Sequence, residues 1–245
     1  MNAASVGETG EPLDLIIRGS VLSQGVIAQA AVGVRNGRIA LVSPDSDVSA
    51  EASRERRLEP GEVLIPGIID SHVHINEPGR TEWEGFDYAT RAAVAGGVTT
   101  VIDMPLNSNP PTLTVDALEL KRSVAAPKAY CELGFWGGVD ATNLGRLRPV
   151  WDAGVFGFKC FLSPSGVDEY GSLSYVQLKD AMEEIASFGG RLIIHSEDPT
   201  ELGAHAGHVG ASYRSFAESR PASCEATAAE RIMELVRRTG CRTHI

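Results

Sequence analysis

Leu64-Ile65-Pro66-Gly67-Ile68-Ile69-Asp70-Ser71-His72-Val73-His74 reads as an apolar β-strand that runs out into two histidines two positions apart. Side chains at i and i+2 of a strand leave on the same side, so both imidazoles can reach one metal ion. A His-x-His pair alone is weak evidence, because partly exposed strand-end histidines are common. Its surroundings say more. From Val63 onward, short apolar runs alternate with longer helical segments, the pattern of βα units feeding a parallel sheet. Strands are expected near residues 63–70, 99–104, 129–135, 157–161, 191–195 and 241–245, with a helix-forming segment after each of the first five. The clearest helix is expected over 221–238, with Pro221 at its first turn, Ala228, Ile232, Leu235 and Val236 on one face, and Gly240 as its stop.

Repeated units of this length suggest a (β/α)8 TIM barrel, whose active site lies at the carboxyl ends of the strands, where His72 and His74 fall. A doubly wound open sheet gives the same local signal, and periodicity does not separate the two. Only about five βα units and the start of a sixth fit before Ile245, so the barrel is expected to be incomplete. Upstream, residues 13–17, 30–35 and 38–42 read as short strands, the last two joined by the hairpin turn Asn36-Gly37. Residues 13–62 are therefore expected to form the N-terminal part of a small β-sandwich, 1–12 a flexible tail, and 63–245 the barrel. The polar stretch from Ser43 to Arg57 reads as a lead-out from the β layer.

The 245 residues carry 22 Lys and Arg against 32 Asp and Glu, a formal net charge of -10, which repels phosphate backbones and anionic lipid and argues against nucleic acid or a membrane as partner. With 43% apolar and 22% charged residues the composition is that of a globular chain. The first residues lack the basic flank and apolar core of a signal peptide, and the expected location is cytoplasmic. Cys131, Cys160, Cys224 and Cys241 have no Cys-x-x-Cys spacing and read as reduced thiols.

His195 closes Leu192-Ile193-Ile194-His195 in the same topological position as the first pair. Three strand-end histidines expected on one pocket wall are what Zn2+ prefers among side chains. His205 and His208 sit in a Gly-rich stretch and read as solvated loop residues. Lys159 lies inside the otherwise apolar Phe156-Gly157-Phe158-Lys159-Cys160-Phe161. A buried charge there must be paired, neutralised or chemically changed. The run does not decide between a lysine paired with a carboxylate and a lysine with lowered basicity.

Taken in order, Asp70-Ser71-His72-Val73-His74, Glu77-Pro78-Gly79-Arg80, Gly96-Gly97-Val98-Thr99-Thr100, Asp103-Met104-Pro105-Leu106-Asn107, Gly157-Phe158-Lys159-Cys160-Phe161 and His195-Ser196-Glu197 resemble the cyclic amidohydrolases, and within them the allantoinases. The resemblance runs from about Leu13 to Ile245. It implies two divalent metal ions, usually zinc, with His72 and His74 on one, His195 on the other, and Lys159, carbamylated by carbon dioxide, bridging both. It implies hydrolysis of the cyclic amide of allantoin to allantoate by a metal-activated hydroxide, in purine and ureide catabolism, by a homo-oligomer (tetramer) when the chain is full length. Dihydroorotases typically have arginine where this chain has Asn76, and dihydropyrimidinases and hydantoinases usually have tyrosine where it has Pro164. Asn107 and Ser163 are expected substrate contacts. The resemblance places a further ligand histidine and a proton-moving aspartate beyond Ile245, so the chain as given is expected to fold poorly and to be inactive alone. Another cyclic amidohydrolase (dihydropyrimidinase, hydantoinase or dihydroorotase) and a non-catalytic subunit that joins a complete one are the alternatives.

Overall fold

A computed structural model describes residues 11–208 and 211–245. The expected tail over 1–12 lies, except for its last two residues, outside the described residues. The chain divides into two compact units, Met1–Gly67 and Ile68–Ile245.

The first unit is a four-stranded sheet of β1 (Leu15–Ser23), β2 (Val26–Arg35), β3 (Arg38–Ser43) and β4 (Glu55–Arg57), in the order β3-β2-β1-β4. Asn36 and Gly37 both have positive φ, 51° and 71°, as the two-residue turn between β2 and β3 requires. Two features escape the sequence reading. The strand near 13–17 continues to Ser23 and turns back at Gln24-Gly25, and β4 arises within the polar stretch 43–57. Residues Glu55, Arg56 and Arg57 are all exposed and show no apolar alternation, so only backbone pairing with β1 makes them a strand. Buried Arg18 fastens the intervening loop, donating to the carbonyls of Ser46 (2.7 Å) and Val48 (3.0 Å).

The second unit holds β5 (Ile68–Val73), β6 (Val98–Asp103), β7 (Glu132–Phe135), β8 (Gly137–Gly138), β9 (Phe158–Phe161), β10 (Arg191–His195) and β11 (Arg242–His244). Its helices are α1 (Phe86–Ala95), α2 (Val115–Ala125), α3 (Leu147–Asp152), α4 (Tyr175–Ser187), α5 (Pro199–His205), α6 (Tyr213–Glu218) and α7 (Ala222–Thr239). β5 starts five residues later than expected, because Leu64 is already engaged by β1, donating to the Ser20 carbonyl and accepting from Leu22 N. α7 matches the expected helix closely, with Pro221 as N-cap and Gly240 in the left-handed conformation at its end.

Every strand pair in this unit is parallel, and the strands follow chain order, β5-β6-β7 and β8-β9-β10-β11, with only Trp136 between β7 and β8. A doubly wound sheet reverses its order at a switch point; this one does not, and the unit is a TIM-barrel-like α/β fold. Alternate strand residues divide between two cores. Val101, Phe158, Cys160, Leu192 and Ile194 pack with the helices in the larger cluster. Ile102, Phe161 and Ile193 pack with Met104, Trp136 and Tyr170 on the other face. Among the described residues no helix is long and apolar enough to cross a membrane, and the four cysteines are free thiols, three of them buried.

Candidate functional site

The alternation that sends Phe158 and Cys160 toward the helices sends Lys159 and Phe161 the other way, and β10 does the same with Ile193 and His195. Register pairs Ile193 with Lys159 on one side and with His244 on the other. Lys159, His195 and His244 therefore share one face of the sheet. Together with His72, Glu197 and Glu225 they line a cavity of about 630 Å³. The His72 and His74 rings lie 5.4 Å apart at 44° to one another.

Lys159 is 5% exposed. Among the described residues it has no ion pair or hydrogen bond from its amine; Nζ rests 4.9 Å from the centre of the Phe161 ring. Pairing with a carboxylate, one of the two readings open from sequence, is thus not realised among the described residues. Burial lowers the Lys159 pKa, favouring the free amine over the ammonium. His72, though exposed, is held below the usual histidine value by desolvation and by Lys159. His74 is pushed down to about 4 by burial, then by the charges of His72, Lys159 and Lys121. Neutral imidazole is the form that binds a metal ion. Among the described residues His74 Nδ1 is buried without a hydrogen-bond partner, a cost that a ligand would remove.

No group of three His, Cys, Asp or Glu side chains among the described residues is arranged to hold a metal ion. The histidines converge instead around a lysine, which supplies an oxygen donor only if it is converted to a carbamate. A bare lysine amine makes a poor bridge, whereas a carbamate has two oxygens and a negative charge. With that conversion Lys159, without an ion pair among the described residues, would fit a metal centre together with His72 and His74.

Behind the site lie residues that carried no role in the sequence reading. Asp103, fully buried, accepts from Ile75 N (2.7 Å) and from Lys121 Nζ (2.7 Å), and Met104 N donates to the Val73 carbonyl (2.7 Å). These bonds pin the chain on both sides of His74. Trp136 Nε1 donates to the Ser71 carbonyl (2.9 Å), next to His72. Tyr170 Oη donates to the Lys159 carbonyl (2.6 Å) and accepts from Val139 N (3.2 Å), tying the ends of β8 and β9. Glu197 binds His195 Nε2 (2.9 Å) and accepts from buried Ser163 Oγ (3.2 Å) and from Arg220. Asp103 and Glu197 stand in motifs quoted above, which was their only signal; Lys121, Tyr170 and Arg220 had none.

Ser163 therefore reaches the His195 end of the site through Glu197. Asn107 does not line the cavity. It takes a positive φ of 69°, and its carbonyl accepts from Arg80, which also pairs with Glu169. His205 ends α5 instead of lying in a loop, its ring Nδ1 bonded to the Glu201 carbonyl, and His208 closes a 3-10 turn.

Residues 63–244 match the model of the amidohydrolase family. An allantoinase of Streptomyces avermitilis is 50% identical over 95% of this chain and 52% of its own length. The mitochondrial allantoinase of Aquarana catesbeiana is 39% identical over 96% of this chain and 49% of its own. Among solved structures, an L-hydantoinase (dihydropyrimidinase) from Arthrobacter aurescens superposes with a TM-score of 0.86 at 30% identity, over 94% of this chain and 52% of its own. A D-hydantoinase from a Thermus species does so with a TM-score of 0.77 at 23% identity, which speaks for the fold alone. The chain spans about half the length of these relatives.

Proposed function

The chain belongs to the amidohydrolase family, and on that premise we propose that it is part of an allantoinase-like enzyme that opens the cyclic amide of allantoin to give allantoate. The observation that carries this reading is Lys159, buried and without an ion pair among the described residues, on the face that also bears His195, in a cavity that His72 enters. The names of the relatives favour allantoin among cyclic amides.

In this reading His72, His74, His195 and the carbamate of Lys159 are the residues that would hold two divalent ions, with zinc as the expected metal. The free amine of Lys159 attacks carbon dioxide; a nitrogen-carbon bond forms, one proton leaves to solvent, and the neutral amine becomes a carbamate anion. When bound, the ions acidify a water molecule and polarise the amide carbonyl of the substrate. The residues described here do the rest. Tyr170 fixes the Lys159 backbone, and the Asp103 bond to Ile75 N fixes the strand end that carries His74. Phe161 and Ile193 are the apolar neighbours of the lysine on this face. Ser163 and Asn107 are the proposed substrate contacts, Ser163 standing beside the site through its bond to Glu197. The unit over residues 13–62 is read as part of a β-sandwich, 63–245 as part of a (β/α)8 barrel, and the working enzyme as a cytoplasmic homo-oligomer.

The test is hydrolysis by the protein isolated from its own cells, supplied with zinc and bicarbonate, of allantoin beside hydantoin, dihydrouracil and dihydroorotate. Allantoin is expected to give the highest kcat/KM, with allantoate as product. A faster reaction with any of the other three would overturn the assignment.

A further inference from the structure

We propose that Glu197, braced by Arg220, is a positioning residue that grips the His195 ring through Nε2 and so leaves Nδ1 as the nitrogen presented to a ligand. His195 is the last residue of β10, and Glu197 follows two positions later. The Glu197 side chain is 11% exposed and receives Arg220 Nη1 at 2.6 Å on each of its two oxygens. With the Arg220 guanidinium on both oxygens and the Ser163 hydroxyl donating to one of them, Glu197 stands as a carboxylate that accepts from all its neighbours. An ionised carboxylate only accepts hydrogen bonds. In the neutral ring the nitrogen that faces it at 2.9 Å must then carry the proton, which makes that form of His195 the Nε2–H tautomer. Nδ1, which has no hydrogen bond among the described residues, keeps the lone pair.

Three further contacts keep the grip in one place. The His195 ring stacks on Phe161, with centroids 5.1 Å apart and planes at 23°, which sets the plane in which the ring can turn. Ser163 Oγ holds the Glu197 oxygen that faces the histidine. The next residue, Asp198, is fully buried, bonds Cys224 O through its own N–H (2.8 Å), and caps α5 through Thr200 N (2.9 Å) and Glu201 N (3.0 Å). The backbone under Glu197 thus has no freedom to swing. Arg220, from the turn between α6 and α7, joins this loop to the start of α7. A salt bridge that merely tied two loops together would have no effect on which ring nitrogen carries the proton. That difference separates the two roles.

The ring orientation stands on this geometry alone; its use for a metal ion rests on the function proposed above. The experiment reads both. Ring-nitrogen NMR of 15N-histidine-labelled protein without metal assigns the His195 tautomer in the wild type, Glu197→Gln and Glu197→Leu, and Zn2+ competition against a chromogenic chelator gives the affinity of each. The wild type is expected as Nε2–H. Glu197→Gln, whose amide oxygen still accepts, is expected to keep that tautomer, whereas Glu197→Leu gives a mixture. Zn2+ affinity is expected to fall about 10- to 100-fold in Glu197→Leu and less in Glu197→Gln. An Nδ1–H tautomer in the wild type, which needs no variant to fold, would overturn the proposal. So would an unchanged tautomer in a folded Glu197→Leu. The expected tautomers together with no Zn2+ binding by the wild type would uphold the grip and remove the metal reading.

Discussion

Replacing Lys121 by methionine is expected to be among the most damaging single changes available outside the cavity. Lys121 and Asp103 are 1% and 0% exposed, and their 2.7 Å ion pair is reinforced by Lys121 Nζ to Met104 O (3.0 Å) and Ile75 N to Asp103 (2.7 Å). Methionine keeps the volume and removes the charge, so Asp103 is left as a buried carboxylate with one hydrogen bond. Breaking such a pair from one side costs about 3–5 kcal/mol. For a unit of this size, where 1 kcal/mol moves the midpoint by about 2–4 °C, that corresponds to roughly 6–20 °C in Tm. The cost depends on pH with a definite sign. Burial already pushes the Asp103 pKa up, with Lys121 pulling it down. Without Lys121 the folded state favours the protonated acid still more, so Lys121→Met should cost most near neutrality and less as the pH falls toward the ordinary value of 3.8. Adding Asp103→Leu to Lys121→Met removes the stranded charge and leaves the Ile75 N–H unsatisfied beside the Met104 carbonyl that either variant strands, about 1–3 kcal/mol for each group. The double variant should therefore be more stable than Lys121→Met alone. Urea unfolding followed by circular dichroism, at several pH values and with a constant slope, measures all of this. A loss below about 1 kcal/mol in Lys121→Met, or a double variant less stable than the single one, would refute the role given to the pair.

Three other outcomes are expected. His74 has a folded pKa of about 4 against an ordinary 6.5, so the unfolded chain takes up its proton first; metal-free protein should lose stability as pH falls from 6.5 toward 4, and His74→Gln should flatten that part of the profile. With 13C-bicarbonate and zinc, the wild type should show a carbamate resonance that Lys159→Arg lacks, and Lys159→Arg should lose allantoin hydrolysis by at least about 100-fold, since both ions lose their bridge; a carbamate signal surviving in Lys159→Arg would assign it to another amine. Gly37→Ala puts a Cβ at φ 71° where no neighbouring atom lies within 4 Å, so it should cost only the left-handed penalty of about 1–2 kcal/mol, in thermal unfolding of the first unit, and leave Zn2+ binding unchanged.

The elements legible beforehand are those whose signal is local. The apolar runs ending in His72, His74 and His195 alternate as strands must, and Asn36-Gly37 and Gly240 stand where a positive φ is needed. β4 was not legible, because Glu55-Arg56-Arg57 has no pattern of its own and becomes a strand only when β1 offers hydrogen bonds. The start of β5 was misplaced for a similar reason: Leu64 is as apolar as Ile68, and its engagement by Ser20 and Leu22 is a long-range fact. Likewise the sequence does not show that Asn107 takes a positive φ or that Arg80 holds its carbonyl.

By itself, then, the sequence determined that βα units succeed one another, that three histidines end strands, and that a lysine sits where a charge is costly. Periodicity records which way a side chain points, and motifs record which chemistry is present. Tertiary structure alone decided that the strands keep chain order without reversal, and that Lys159 and His195 face one cavity with His72. It alone decided that no carboxylate pairs with Lys159 among the described residues, and that Glu197, anchored by an arginine 23 residues away, grips His195. The reason is physical: pairing, burial and ring orientation depend on groups distant in the chain, and those distances exist only once the sheet and helices have packed.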